Sequence, residues 1–236
     1  KEELEALQMG AVQMLAPTPG KFGPLGVKEF EALDLPFLFD NFEEELKITK
    51  GPIGQELLKK LETRGVHGLA FWNNGFKQLT SNKPIRKADD FKGQKIRIVS
   101  SKVVDAQMRS VGALPQVMAF GDLYTALQTG VVDGQENPTN VIYPTKLYEV
   151  QKYMTLTGHV YSPALILMSK AQWDKLSAAD KTAFAAAAKE AVKTNRARID
   201  EDERRAVADL RSKGMTIVEN VDKAKFQATL APTFVE

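Results

Sequence analysis

The residues best placed to do chemistry lie between Lys95 and Asn137, in the run KIRIVSSKVVDAQMRSVGALPQVMAFGDLYTALQTGVVDGQEN. Arg97 falls inside a short β-branched segment, where Ile96 and Ile98 face one way and Arg97 shares the other face with Lys95 and Val99. A strand covered on both faces tolerates a guanidinium only with a partner. Its planar fork matches a carboxylate bidentately, so Arg97 reads either as the anchor of an acidic ligand or as half of a structural ion pair. Asn137, at the end of a second strand, adds a donor and an acceptor to such a clamp. Asp133 and Glu136 offer a rival chemistry, the acid/base pair of a small α/β enzyme. Three positions along a strand put those two carboxylates on opposite faces, and no nucleophile elbow, phosphate loop or metal cluster accompanies them.

The elements that must position these residues read strand, helix, strand, helix, strand. Ser101 stands as an N-cap, and Gly112 and Gly130 fall where the two helices should stop. Such alternation predicts parallel strands with crossover helices, with ligands gathering at the strands' carboxyl ends. Upstream, an opening helix runs through Met9 to Gly10, and AVQML reads as a short strand leading to the loop Pro17-Thr18-Pro19-Gly20. Asp-Leu-Pro in ALDLPFLF interrupts any helix there. Asn41 caps the next helix, with Glu43, Glu44 and Glu45 favourably placed in its first turn, and another helix covers about Gln55 to Arg64. VHGLAFW predicts a strand that Asn73-Asn74-Gly75 breaks before Lys77 resumes extended structure.

Beyond Asn137 a helix is expected over Asn140 to Tyr148, then strands in YMTLT and ALILMS. Ser177 opens a long helix with nothing to stop it before Gly214, and about 36 residues at about 1.5 Å each span roughly 54 Å. That exceeds one small domain, so the helix must bridge two. Its later half, RARIDEDERRAVADLRSK, reads as a solvated face laced with ion pairs one turn apart.

MAFGDLYTALQTGVVDGQENP, preceded by FKGQKIRIVSS and NNGFKQLTSNKPI, closely resembles the substrate-binding proteins of TRAP transporters, the DctP type, and the resemblance runs from the first residues to about Glu219. It implies an α/β, two-domain periplasmic binding protein, class II-like, with mixed sheets and a long domain-spanning helix. The division expected is 1–74 plus 163–203 for one domain and 75–162 plus 204–236 for the other, with crossings near Asn74, Ser162 and Arg204 that let a hinge close. It further implies a monomeric, periplasmic receptor, not an enzyme, that binds a small organic acid, by default a C4-dicarboxylate, and delivers it to TRAP permease membrane subunits. No cofactor or nucleic acid enters that reading. A ligand-sensing domain of a signalling receptor shares the fold.

The resemblance also implies roles. Arg97 would make the principal bidentate bond to the ligand carboxylate and Asn137 would orient it. Lys77 stands where the family commonly has arginine, adding positive charge without the fork. Phe120 would pack on the ligand's carbon chain, or be a plain core ring. Trp72 would stack on the ligand or seal the hinge, and Thr18 is either a hydroxyl contact or part of a turn. The family normally opens with a signal, a strand and an amphipathic helix, whereas KEELEALQMG resembles the end of a second helix. An N-terminal strand and one or two helices are therefore expected to be missing, and the ending VDKAKFQATLAPTFVE comes early.

Composition sets the outer bounds. The 236 residues, 43% hydrophobic, suffice for one large or two small cores. A net charge of +2, from 32 basic and 30 acidic residues, leaves no broad footprint for nucleic acid. With no cysteine, thiolate catalysis, cysteine-based zinc sites and disulfides are excluded. No stretch reaches the roughly 18 apolar residues of a membrane span. Of the two histidines, His67 reads as structural, and His159 has no acidic or histidine neighbour in sequence, so no metal site is expected.

Overall fold

The computed structural model describes residues 2–234, the side chain of Asp200 apart. Helix α1 (Glu2–Gln8) buries Leu4 and Leu7 and leads to a two-residue strand, β1 (Met14–Leu15). After a 3-10 turn over Lys28–Asp34 come α2 (Phe42–Lys50) and α3 (Pro52–Glu62). Asn41 caps α2 through its Oδ1, which accepts from Glu44 N at 3.1 Å. The long strand β2 (Val66–Ser81) follows, then β3 (Lys95–Ile98), α4 (Lys102–Ser110), β4 (Leu114–Val117), α5 (Leu123–Gln128) and β5 (Gly134–Pro138). Ser101 caps α4, and Gly112 and Gly130 close α4 and α5 in left-handed conformation. The chain continues through α6 (Thr139–Ile142), β6 (Tyr153–Thr155), β7 (Tyr161–Ser169), α7 (Lys170–Lys175), α8 (Ala178–Ser212), β8 (Thr216–Val218) and α9 (Lys223–Leu230).

The strands form one mixed sheet in the order β1-β7-β2-β5-β3-β4, with β6 added to β2 and β8 to β6. As the alternation of strands and helices requires, β3 pairs in parallel with both β4 and β5. β2 belongs to two neighbourhoods. Its first two thirds, Val66 to Phe76, run antiparallel to β7, and Lys77 to Ser81 run antiparallel to β5. The expected break at Asn73-Asn74-Gly75 is instead a register shift between Asn73 and Phe76 within a continuous strand, with Gly75 at φ +96°. A bulge and a break carry the same Asn/Gly signal, and only the partner strands decide between them.

Two further expectations change. Of AVQML only Met14 and Leu15 form the paired strand, opposite Met168 and Leu167, with Gln13 O and Pro17 O accepting from Ser169 N and Leu165 N on either side. The helix expected over Asn140 to Tyr148 shortens to α6, followed by a left-handed Lys146 at φ 57° and a 3-10 turn over Leu147–Glu149. The strand carrying Arg97 is covered on both faces, as expected: Ile96, Arg97 and Ile98 are all buried.

Large apolar side chains gather in separate cores. Phe22, Phe30, Leu61, Phe71 and Leu165 anchor the first, Ile85, Phe91, Ile96, Val104 and Phe226 the second, and Leu123, Ile142, Met154 and Leu210 the third. At 35 residues, or about 52 Å, α8 joins the third core to a smaller fourth cluster around Ile166. Its alanine-rich half packs Ala188 and Val192 on Ile166, and its far end places Leu210 in the third core.

Candidate ligand-binding site

Register explains which side chains meet. Lys77 lies opposite Pro138 and Leu79 opposite Glu136, so Lys77 and Glu136 form a diagonal pair on one face of the sheet. Arg97 lies opposite Gln135 in the parallel pairing, which gives it the other face, shared with Asn137. There Asn137 Nδ2 donates to Gln135 Oε1, and Gln135 Nε2 donates to Thr80 Oγ1 at 3.0 Å. These bonds orient Asn137, which remains half-buried.

Arg97 is only 3% exposed. Its Nε and Nη2 both donate to the carbonyl of Met118, at 3.0 and 2.8 Å. Among the described residues no carboxylate comes within 4.0 Å of the guanidinium. Burial lowers its pKa, opposed by the field of Glu136. The structural ion pair open to it from sequence is thus not made, and a buried cation is left tied to one neutral oxygen. Phe120 stands beside it, its ring centroid 5.8 Å from Cζ, and this ring is 44% exposed, unlike a core phenylalanine.

Lys77 differs. Its ammonium is buried and held by Glu136 at 2.8 and 3.1 Å, with Asp34 Oδ1 at 3.9 Å. Burial would lower its pKa, but Glu136 and Asp34 more than offset this and raise it. Burial likewise pushes Glu136 up, and the charge of Lys77, helped by His159, outweighs it and holds Glu136 below the usual carboxylate range. His159 does have an acidic neighbour, contrary to expectation: its Nε2 is 3.7 Å from Glu136 Oε2 and its Nδ1 2.8 Å from Thr157 Oγ1. Strand β5 and the loop between β6 and β7 supply that contact. Asp34, which sequence reasoning passed over inside an interrupted Asp-Leu-Pro, completes the group. Burial raises its pKa to about 6, Lys77 opposing.

The remaining expected residues are placed as follows. Thr18 is half-buried in the loop after β1, its hydroxyl free of any capping bond. Two residues on, a Cβ on Gly20 would stand 2.7 Å from Asp34 Oδ2 and 3.1 Å from Val99 and Ser101, so this loop abuts the carboxyl end of β3. Trp72 is brought to the long helix instead of to Arg97, packing with Leu69 and Ile166 against Ala188 and Val192. Asp133 accepts from Lys95 N at 2.8 Å while Glu136 serves Lys77, so the supposed acid/base pair is divided between two partners. His67 stacks on Trp173 at 3.8 Å and bonds to Glu62.

A mixed α/β sheet, cores strung along a spanning helix and a buried, unpaired arginine at a strand's carboxyl end define a solute-binding protein of the periplasmic type. The chain belongs to the family described as bacterial extracellular solute-binding protein, family 7 (DctP), whose model matches residues 1–236. It is 46% identical to the C4-dicarboxylate-binding periplasmic protein DctP of Rhodobacter capsulatus, over 100% of this chain and 72% of that one. Among solved structures, a TRAP periplasmic solute-binding protein from Polaromonas sp. JS666 bound to D-erythronate superposes with a TM-score of 0.95 at 44% identity, covering 99% of this chain and 77% of that one. Another, from Sulfurospirillum deleyianum with bound succinate, gives 0.93 at 38% identity with the same coverage. These relatives are described as solute-binding proteins and not as enzymes.

Proposed function

We propose that this chain is an extracytoplasmic receptor that binds a small organic acid in the periplasm and delivers it, as a monomer and without altering it, to a TRAP-type membrane permease. The observation that carries the reading is Arg97, buried and, among the described residues, bonded only to Met118 O. A cation in that state gains most from an incoming carboxylate, which its planar fork meets with two N–H donors. Asn137, fixed by Gln135, orients the acid, Phe120 covers its carbon chain, and Thr18 reaches it from the opposite loop. Lys77 acts from behind the sheet, its charge already engaged by Glu136. The named ligands of the relatives, succinate and D-erythronate, each carry a carboxylate and support the same chemistry.

Residues 1–74 with 163–203, and 75–162 with 204–236, are proposed to move as two lobes. In support, the first core draws on residues up to Phe76 and on β7, whereas the second and third draw on 79–156 and 207–230, with Phe37 crossing to pack on the second. The reading is tested by adding succinate, D-erythronate and D-galacturonate to the protein and following its melting temperature and the acid by NMR. A receptor is stabilised by at least one of them through preferential binding to the folded state, and that acid is recovered unchanged. Loss of the acid with time would make the protein an enzyme, and no stabilisation by any of the three would reject the receptor.

A further inference from the structure

The segment Lys28–Asp34 belongs to the first core through Phe30 and Leu33 yet fastens onto the other half of the molecule. Gln107 Nε2, from α4, donates to the carbonyl of Asp34 at 2.6 Å, and the backbone N–H of Lys102 donates to Glu31 Oε2 at 3.2 Å. The side chain of Asp34 turns toward Lys77, 3.9 Å away, and is 1% exposed. Its other oxygen, Oδ2, lies over Gly20 and is without a hydrogen bond of normal geometry. Asp34 is therefore buried by surfaces from both lobes at once. If the lobes part, water reaches it.

We propose, building on the two-lobed receptor described above, that Asp34 is a proton-sensitive latch: closure buries its carboxyl between the lobes and is accompanied by uptake of a proton there.

The groups facing Asp34 favour it as the acceptor. Lys77 approaches from β2, but its ammonium is committed to Glu136 at 2.8 Å and serves Asp34 only at longer range. Glu136 from β5 and Glu31 from the same 3-10 turn both repel its charge, and the Ser101 hydroxyl at the start of α4 gives modest relief. Gln107 and Gly20 are uncharged. His159 faces Glu136, and Arg97 feels the field of Glu136 from the other face of the sheet. Of the two buried carboxylates, Glu136 has a cation in contact and Asp34 does not, so neutralising Asp34 sacrifices the weaker interaction. In the closed state its pKa is raised to about 6 from the ordinary 3.8, by burial first and foremost. In the opened state, bathed in water, the ordinary value returns. Protons are then taken up on closure chiefly between those two values, and closure strengthens as pH falls through that window.

The absence of cysteine from the chain makes the test direct. Gln55→Cys on α3 and Ser110→Cys on α4, both exposed, carry a donor and an acceptor dye, and transfer efficiency is followed without any added acid. Wild type should show a growing closed population from about pH 7 to about pH 5, and Asp34→Asn, isosteric and permanently neutral, a population that no longer varies with pH. In parallel, D-erythronate, ionised over this range, should bind wild type about tenfold more tightly at about pH 5 than at about pH 7, and Asp34→Asn equally at both. Melting curves confirm that the variant is folded. A wild-type closed population independent of pH overturns the latch, as does a pH response that survives Asp34→Asn and disappears in His159→Gln. Should no acid bind while the dye response is present, the receptor reading fails and the latch stands. If acids bind and the response is absent, the latch alone fails.

Discussion

Two regions of this protein hold comparable sets of charges at comparable distances. On α8, Arg198, Asp202, Arg205 and Asp209 make contacts of 3.6, 3.0 and 3.7 Å, and in the sheet Lys77 meets Glu136 at 2.8 Å and Asp34 at 3.9 Å. The side chains of Arg198 and Arg205 are 82% and 63% exposed, while those of Lys77 and Glu136 are 5% and 1% exposed. In water an ion pair gains little over the hydration it gives up. In the sheet a buried charge needs another to answer it, and Arg97, with no carboxylate partner among the described residues, is the one proposed to take a ligand's carboxylate. Burial, more than distance, separates the solvated face from the candidate site.

The contrast is broken most directly at Arg97. Arg97→Ala should melt near wild type and lose about 3–5 kcal/mol of binding to whichever acid the protein takes, since a buried carboxylate loses its partner. Arg97→Lys should recover only part, the fork being absent. Calorimetric affinity of the alanine variant within threefold of wild type would place the acid elsewhere.

Glu136→Gln removes the answering charge instead. Lys77 would keep only Asp34 at 3.9 Å, and chemical denaturation should show a stability loss of about 3 kcal/mol. An unchanged midpoint would mean that the pair is no more valuable than those on α8.

A buried acid without a close cation sharpens the comparison from a third side. Glu45 on α2 is 2% exposed, and burial raises its pKa to about 7, the nearby Thr49 hydroxyl and the charge of Lys50 opposing. The native state then binds the proton more tightly than the unfolded one, so this contribution is full below 4.5 and is lost as pH rises through about 7. Stability should fall by about 2 kcal/mol from about pH 5 to about pH 8 on this account, and Glu45→Gln should flatten that slope. Denaturation at the two pH values measures it.

The smallest effect belongs to the helix. Arg205→Ala should change stability by less than about 0.5 kcal/mol, and that little should vanish in high salt. A larger loss, insensitive to salt, would show that the charged half of α8 is more than a solvated face.

What sequence reasoning could see was local or periodic. Caps at Asn41, Ser101 and Ser177, stops at Gly112 and Gly130, the parallel trio around β3 and the full length of α8 are all written in neighbouring residues. Arg97 stood out because a charge inside an apolar strand is anomalous wherever its partners lie. The partners themselves were out of view. Lys77 looked free because Glu136 is 59 positions away and meets it only through register. Asp34 looked like loop punctuation, and His159 looked isolated, for the same reason. Trp72 was assigned by its place in the chain near the lobe crossing, while its actual neighbours come from α8, more than 110 residues on.

The continuity of β2 bears on how this protein tolerates changes of length. Residues upstream of the bulge are registered on β7 and those downstream on β5, so each strand fixes its own stretch of backbone. One residue inserted between Lys77 and Ser81 would turn part of that stretch over, because side-chain direction reverses at every step. Leu79 would leave the second core, and the diagonal meeting of Lys77 with Glu136 would slip. The irregular span from Asn73 to Phe76 already departs from strict pairing and can absorb a residue as extra slack. Single-residue insertions scanned along β2 should therefore yield folded protein at the two irregular places, Asn73 to Phe76 and the shift between Gly68 and Ala70, and not in the strictly paired stretches of this sixteen-residue strand.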